Sequence, residues 1–286
     1  MDHKPFQPDP RLFPFESRWF DSSKGRVHYL DEGEGPPILL LHGNPTWSFL
    51  YRGIVIRLRK RFRCIAPDYP GFGLSEHPAN FRYTPAEQAR VIRSLVQTLD
   101  LEELTIMGHD WGGPIGMRVA LDEVARMRSL VMANTWYWPT EALHLRAFSW
   151  IMSTGYMQGL VHRKNILVDR AIPLGVKHSL APEVFEHYRG PFATVDSRAG
   201  VAEFVRQLTL SANWLEEIEA EVSTALGHLP LLLTWGIEDL AYTPAFMDVF
   251  LKDFDDVRVV RLDAKHLIQE DAPGEVSEAI QEFLTD

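Results

Sequence analysis

Chemistry concentrates first in the stretch Gly108-His109-Asp110-Trp111-Gly112-Gly113, where a carboxylate stands between glycines. An apolar run at 104–107 leads in and a helix-like stretch at 114–121 leads out, which is the strand–turn–helix setting of a nucleophile elbow. Small residues at 108, 112 and 113 let the turn close, because a Cβ there would meet neighbouring backbone. The residue at the apex is Asp110 rather than Ser. A free Asp titrates near ~3.9, so it needs no base to become a nucleophile at neutral pH. The positive end of the following helix is expected to keep it ionised. An Asp can displace a leaving group from an sp³ carbon and form an ester, whereas an activated Ser attacks carbonyls. The competing bland role for Asp110 is a helix N-cap. Two further residues, Asp239 and His266, follow apolar runs at 230–235 and 257–262. An imidazole titrating near ~6.5 can take a proton from water. A carboxylate on its other nitrogen would orient it and stabilise the imidazolium.

The elements that must position these groups read as an alternation. Short strands at 18–20 and 27–30, joined by the turn 22–25, suit an antiparallel edge. The run PILLL at 37–41 is continuously apolar, as a strand covered on both faces requires. A helix over 48–59, a strand over 62–67 and a helix from Pro85 to about Leu99 follow, the last with Thr84 as N-cap and Val91, Leu95 and Leu99 on one stripe. With the elbow strand, its helix and a strand at 130–133, the pattern is β-α-β-α-β-α-β, which implies a doubly wound, mostly parallel sheet.

From 136 to about 221 no such strand recurs. Apolar residues return at helical spacing instead (Phe148, Ile151 and Met152; Val184, His187 and Tyr188; Phe204, Leu208 and Leu210), punctuated by Pro139, Pro173, Pro182 and Pro191. An all-helical insertion at the strand C-terminal edge would lie over the elbow as a cap. Strands at 230–235 and 257–262 and helices at 244–254 and 273–284 complete the chain. The expected organisation is a core over 1–135 and 222–286 with a helical cap over 136–221.

A net charge of −10 argues against nucleic acid and anionic membranes as partners. A single cysteine, Cys64, excludes an intrachain disulfide and a Cys-based metal cluster, and suits a reducing, cytoplasmic setting. Residues 1–14 read as the start of an irregular arm; they hold four prolines and no apolar h-region, so no signal peptide is expected, and no stretch reaches the length of a membrane span.

Asp110, Asp239 and His266 occur in the chain order nucleophile, acid, base of the α/β-hydrolase triad. The combination of HGNPTW at 42–47, GHDWGG at 108–113, GIED at 236–239 and KH at 265–266 resembles the haloalkane dehalogenases, from about residue 26 onward. YRGPF at 188–192, with Ser197 and Arg198 after it, is similar to their cap. The elbow Trp, the Asn and the late Asp resemble the subfamily numbered three. The resemblance implies an eight-stranded α/β-hydrolase fold and hydrolysis of a small halogenated hydrocarbon to alcohol, halide and proton, without cofactor or metal. Carried onto this chain, Asp110 is the nucleophile, His266 the base and Asp239 the acid. Asn44 and Trp111 hold the halide with their side chains, and their backbone amides form the oxyanion hole. Self-association stays open.

Neighbouring Glu238 rivals Asp239 as the acid. Asn134 occupies a place where some hydrolases carry a carboxylate, a role an amide cannot fill. His109 and His42 read as structural, His109 pointing into the sheet. Epoxide hydrolases resemble the same pattern and need cap tyrosines, here Tyr137, Tyr156 or Tyr188, although their loop usually carries an aromatic residue where this chain has Asn44. A luciferase-like monooxygenase and a non-catalytic ligand receptor on the same scaffold are the remaining alternatives.

Overall fold

The computed structural model describes residues 6–285. Of the arm expected over 1–15, the first five residues lie outside the described ones. Eight strands form one sheet: β1 (Arg18–Ser22), β2 (Gly25–Glu32), β3 (Pro37–Leu41), β4 (Arg63–Pro67), β5 (Leu104–Asp110), β6 (Met127–Thr135), β7 (Leu231–Gly236) and β8 (Val257–Leu262). Their spatial order is β1-β2-β4-β3-β5-β6-β7-β8. The β1–β2 and β2–β4 pairs are antiparallel and all others parallel.

The interior strands have helices on both faces, so their sequences run apolar without alternation. Ile38, Leu39, Leu40 and Leu41 are fully buried, as are Leu231, Leu232 and Leu233. Strand β8 has one neighbour, and its residues are correspondingly half-buried or exposed up to the buried Leu262. After β4 the chain crosses to the far side of β3 to lay down β5. That reversal opens a crevice at the C-terminal ends of β3 and β5, the place where doubly wound sheets bind ligands.

Local signals act where expected. Thr84 Oγ1 accepts from Glu87 N at 3.3 Å and Pro85 opens the helix Pro85–Thr98. The helices expected over 48–59 and 244–254 each begin as a 3₁₀ turn, Ser48–Tyr51 and Pro244–Phe246, before Arg52–Leu58 and Met247–Asp253.

Between β6 and β7 lie the helices Leu143–Met152, Gly155–Lys164, Ile166–Gly175, Pro182–Arg189, Ala199–Leu210 and Ala212–Leu226. Pro173 sits inside one of them instead of ending it. Met152, His187, Tyr188, Phe204 and Leu208 are buried, but Ile151 and Leu210 face outward, so helical spacing alone overstated the buried face. Arg198 ties the insertion together, donating to the carbonyls of Phe192 (2.7 Å), His162 (2.5 Å) and Ala193 (2.9 Å). The last helix, Ala212–Leu226, runs past residue 221. It packs on the helix Gly112–Asp122 with Ile218, Val222 and Leu226 fully buried, which makes it part of the layer covering the sheet. Among the described residues no helix is long and apolar enough to cross a membrane.

Candidate active site

The elbow is built by close approach. A Cβ on Gly112 would stand 2.0 Å from Leu41 O, and one on Gly113 would stand 1.8 Å from Thr135 Oγ1. Only hydrogen at those positions lets β3, β5 and β6 converge under the turn. Asp110 ends β5 with φ 50°, a left-handed conformation that costs a non-glycine residue about 1–3 kcal/mol. Thr135 Oγ1 donates to Asp110 O at 2.6 Å and helps to fix it there.

The two carboxylate oxygens of Asp110 face different partners. Oδ1 accepts from Asn44 N at 2.8 Å, and the backbone amide of Trp111 also donates to the carboxylate. Oδ2 lies 3.9 Å from His266 Nε2 and accepts from the hydroxyl of Tyr242 at 3.1 Å. Burial raises the Asp110 carboxyl, and the net shift stays upward although His266, both amides and Tyr242 oppose it. The helix end expected to keep it low is thus outweighed by desolvation.

His266 follows β8, and its Nδ1 meets Asp239 Oδ2 at 2.8 Å. Burial lowers the imidazole, but the Asp239 and Asp110 carboxylates more than offset this and its pKa is raised. The Asp239 carboxyl is lowered: burial raises it, and His266, Ala241 N and Asn134 outweigh that. Asp239 Oδ1 accepts from Ala241 N at 2.7 Å. Asn134, held at φ 38°, donates through Nδ2 to Asp239 Oδ2 (2.8 Å) and Gly236 O (3.1 Å), and its Oδ1 accepts from Gly236 N (2.8 Å). Glu238 turns away to Lys177 Nζ at 2.7 Å.

Asn44 Nδ2 donates to Val201 O at 3.2 Å, in the insertion helix Ala199–Leu210. A carbonyl can only accept, so the amide nitrogen must face it, and one of its two hydrogens is used. Trp111 is 2% exposed and packs against Trp136 and Phe204, with ring centroids 4.8 and 5.4 Å away. Asn44, Asp110, Trp111, Asp239 and His266 together line a cavity of about 460 Å³. Its other wall comes from the insertion and, apart from His144, is apolar: Leu145, Phe148, Leu167, Ala171, Leu174, Val205 and Leu208.

His109 does not lose itself in the sheet. Its Nε2–H donates to His266 O at 2.8 Å and its ring lies 4.5 Å from that of His266. Burial, with His266 next, lowers it to about 3, so it stays neutral. His42 bonds Gly43 O through Nδ1 at 2.9 Å and accepts from Tyr69 N at 3.3 Å, bracing the loop after β3. Of the cap tyrosines, Tyr137 donates to Asp253 at 2.7 Å, Tyr188 bonds Glu270 and Tyr156 is exposed. None of them lines the cavity. Tyr242 escaped the sequence reading. It stands three residues after Asp239 in a loop at a strand C-terminal end, and that position was its one signal.

Sheet order, elbow and triad-like geometry define an enzyme of the α/β-hydrolase fold, and a family model of that description matches residues 36–161. Proteins of Mycobacterium tuberculosis and Mycobacterium bovis named haloalkane dehalogenase 2 are each 50% identical over 279 residues, covering 97% of this chain and 98% of theirs. The chain belongs to the haloalkane dehalogenase family. A crystal structure of a putative ancestral haloalkane dehalogenase superposes with a TM-score of 0.85 at 27% identity, covering 94% of this chain and all of that one. A cis-3-alkyl-4-alkyloxetan-2-one decarboxylase of Shewanella oneidensis is 31% identical over 96% of this chain and 90% of its own length.

Proposed function

We propose that the protein hydrolyses carbon–halogen bonds of small halogenated hydrocarbons, releasing alcohol, halide and a proton through an ester on Asp110. Asp110 Oδ2 attacks the halogen-bearing carbon in line. The leaving halide is held by the indole N–H of Trp111 and by the second hydrogen of Asn44 Nδ2. His266 then takes a proton from water, which attacks Cγ of the ester, and Oδ1 becomes an oxyanion facing the amides of Asn44 and Trp111. Asp239 holds the imidazole and stabilises its protonated form.

The observation that carries this reading is the asymmetry of the Asp110 carboxylate. One oxygen is already seated on Asn44 N at 2.8 Å, and the other is 3.9 Å from His266 Nε2. That separation is too long for a hydrogen bond. A base that activated the nucleophile itself would have to touch it, whereas a base for water needs a gap. The apolar wall of the cavity suits a hydrocarbon chain. The helices over 136–210 serve as the cap that closes it. Neither a cofactor nor a metal is needed for these steps, and the single buried thiol of Cys64 agrees with a cytoplasmic setting.

The test is bromide release from 1,2-dibromoethane and 1-bromobutane, with Asp110→Ala as control. Release that disappears in the variant supports the reading. A second reading, attack on a four-membered lactone, rests on the decarboxylase relatives alone. An alkene and CO₂ from a cis-dialkyl oxetan-2-one, without bromide release from either bromoalkane, would favour it instead.

A further inference from the structure

Tyr242 donates to one oxygen of Asp110 only, Oδ2, at 3.1 Å. The ring is held firmly for that purpose. It stacks on Trp136 (centroids 4.8 Å, 13° between planes) and meets Phe246 edge-on at 5.5 Å and His266 tilted at 5.5 Å. Trp235 Nε1 donates to the Tyr242 carbonyl at 2.9 Å and fixes the backbone, and the residue is 3% exposed.

On the reading above, the two oxygens have separate fates. Oδ1, on the Asn44 amide, becomes the ester carbonyl and then the oxyanion. Oδ2 forms the bond to the substrate carbon. When water adds to Cγ, its proton goes to His266 Nε2 and a tetrahedral centre forms. That centre collapses by breaking Cγ–Oδ2, and Oδ2 departs with the alkyl group as an alkoxide. The imidazolium returns a proton to this oxygen, which gives the alcohol. The acid left on Asp110 loses the second water proton to solvent. An alkoxide leaves far less readily than a halide, so the breaking Cγ–Oδ2 bond is where a donor helps most.

We propose that the Tyr242 hydroxyl is a catalytic residue of the second half-reaction, hydrogen-bonding Oδ2 as it becomes the alkoxide leaving group. Burial, with the Asp110 charge, holds the phenol well above its usual range, so it remains a donor throughout. A carboxylate oxygen has two lone pairs, so Oδ2 can keep this bond while it attacks carbon. The bond has an opposite effect on the first half-reaction. It stabilises the carboxylate before attack, and interactions made in the ground state do not accelerate a step. Tyr242 therefore favours ester hydrolysis at the expense of ester formation.

Rapid-quench single turnovers of 1-bromobutane separate the two steps. In Tyr242→Phe, bromide should appear in a burst of one per enzyme, no slower than in the wild type. Ester decay, followed as an alkyl adduct on the Asp110 peptide by mass spectrometry, should slow about tenfold, the low end expected for losing a hydrogen bond to a charged oxygen. Substrates yielding more acidic alcohols, such as 1-bromo-2-fluoroethane, should be less impaired, because a better leaving group needs less help; a merely structural role for the ring would not produce that gradient. Ester decay within twofold of the wild type, with the same sensitivity to alcohol acidity, would overturn the role of Tyr242 and leave the dehalogenase reading intact. Absence of any bromide release by the wild type overturns that reading instead. Should Tyr242→Phe not fold, 3,5-difluorotyrosine in place of Tyr242 decides: its stronger O–H donor should speed ester decay without speeding the bromide burst, and unchanged ester decay overturns the role.

Discussion

The two walls of the cavity are made differently. On the sheet side the polar groups are fixed by constrained backbone and by one another's side chains. Asp110 and Asn134 are held at positive φ, and glycines at 112 and 113 allow contacts that no other residue permits. Asp239, His266 and Tyr242 stand in the loops that follow β7 and β8. On the insertion side the wall is mostly aliphatic and aromatic; His144 is its polar lining residue, donating to Ala241 O at 2.9 Å, and the carbonyl of Val201 meets Asn44. The contrast teaches that the polar groups gather where strand ends impose geometry, while the insertion supplies a mostly apolar wall. The two walls should therefore respond to mutation in different observables: rate constants of chemical steps on one side, substrate preference on the other.

The largest test of that division is His266→Gln. Ester formation should survive, with one bromide released per enzyme, while turnover falls by about 10²- to 10⁴-fold, the usual contribution of a general base. Full turnover in this variant would break the scheme. Next come Asn44 and Trp111, the proposed halide donors. Asn44→Ala and Trp111→Phe should each slow the bromide burst about 10- to 100-fold, since each removes a hydrogen bond to an anion. The decay of ester once formed should change little.

pH dependence follows from His266. The base must be neutral to accept a proton, and its pKa is raised by the Asp239 and Asp110 carboxylates despite burial. In the ester the Asp110 charge is gone and Asp239 alone opposes burial, so ester hydrolysis should be lost as pH falls through a midpoint below that of His266 in the free enzyme. In Asp239→Asn one of the raising charges is gone, so the midpoint should move down while the maximal rate drops. A midpoint that rises would contradict the pairing. Asn134→Ala tests the support beneath Asp239. It leaves the buried Gly236 N–H without its partner, which costs about 1–3 kcal/mol, so the urea midpoint should fall more clearly than the burst rate. The smallest effects belong to the insertion wall. Leu174→Ala and Phe148→Ala should shift KM and chain-length preference by about tenfold or less, at or below the low end for apolar pocket contacts because both side chains are exposed, with burst amplitudes unchanged.

Legibility in the sequence followed the same division. Asp110, Asp239 and His266 could be picked out because each follows an apolar strand run, and strand length dictates where the chain emerges from the sheet. The structure brings all three together with Asn44 and Trp111 around one cavity. Spacing from Gly236 favours Asp239 over its rival Glu238, and in the structure the first meets His266 and the second Lys177. In the insertion, spacing showed helices but not which face is covered. Ile151 and Leu210 have the same character as Met152 and Leu208, and only the packing of neighbouring helices exposes the first pair and buries the second.

From sequence alone come the alternation of buried strands and helices, the glycines of the elbow, and an apex carboxylate where other hydrolases carry a hydroxyl. These are local properties, set by side-chain chemistry and by backbone conformations that few residues tolerate. Tertiary structure decided what depends on distant segments meeting. It placed Asn134 under Asp239, from 105 residues away, and the Tyr242 hydroxyl on Oδ2 of Asp110, from 132 residues away. It also carried the final insertion helix onto the sheet layer. No periodicity records such contacts, because they arise only when the loops at several strand ends converge on the same few ångströms.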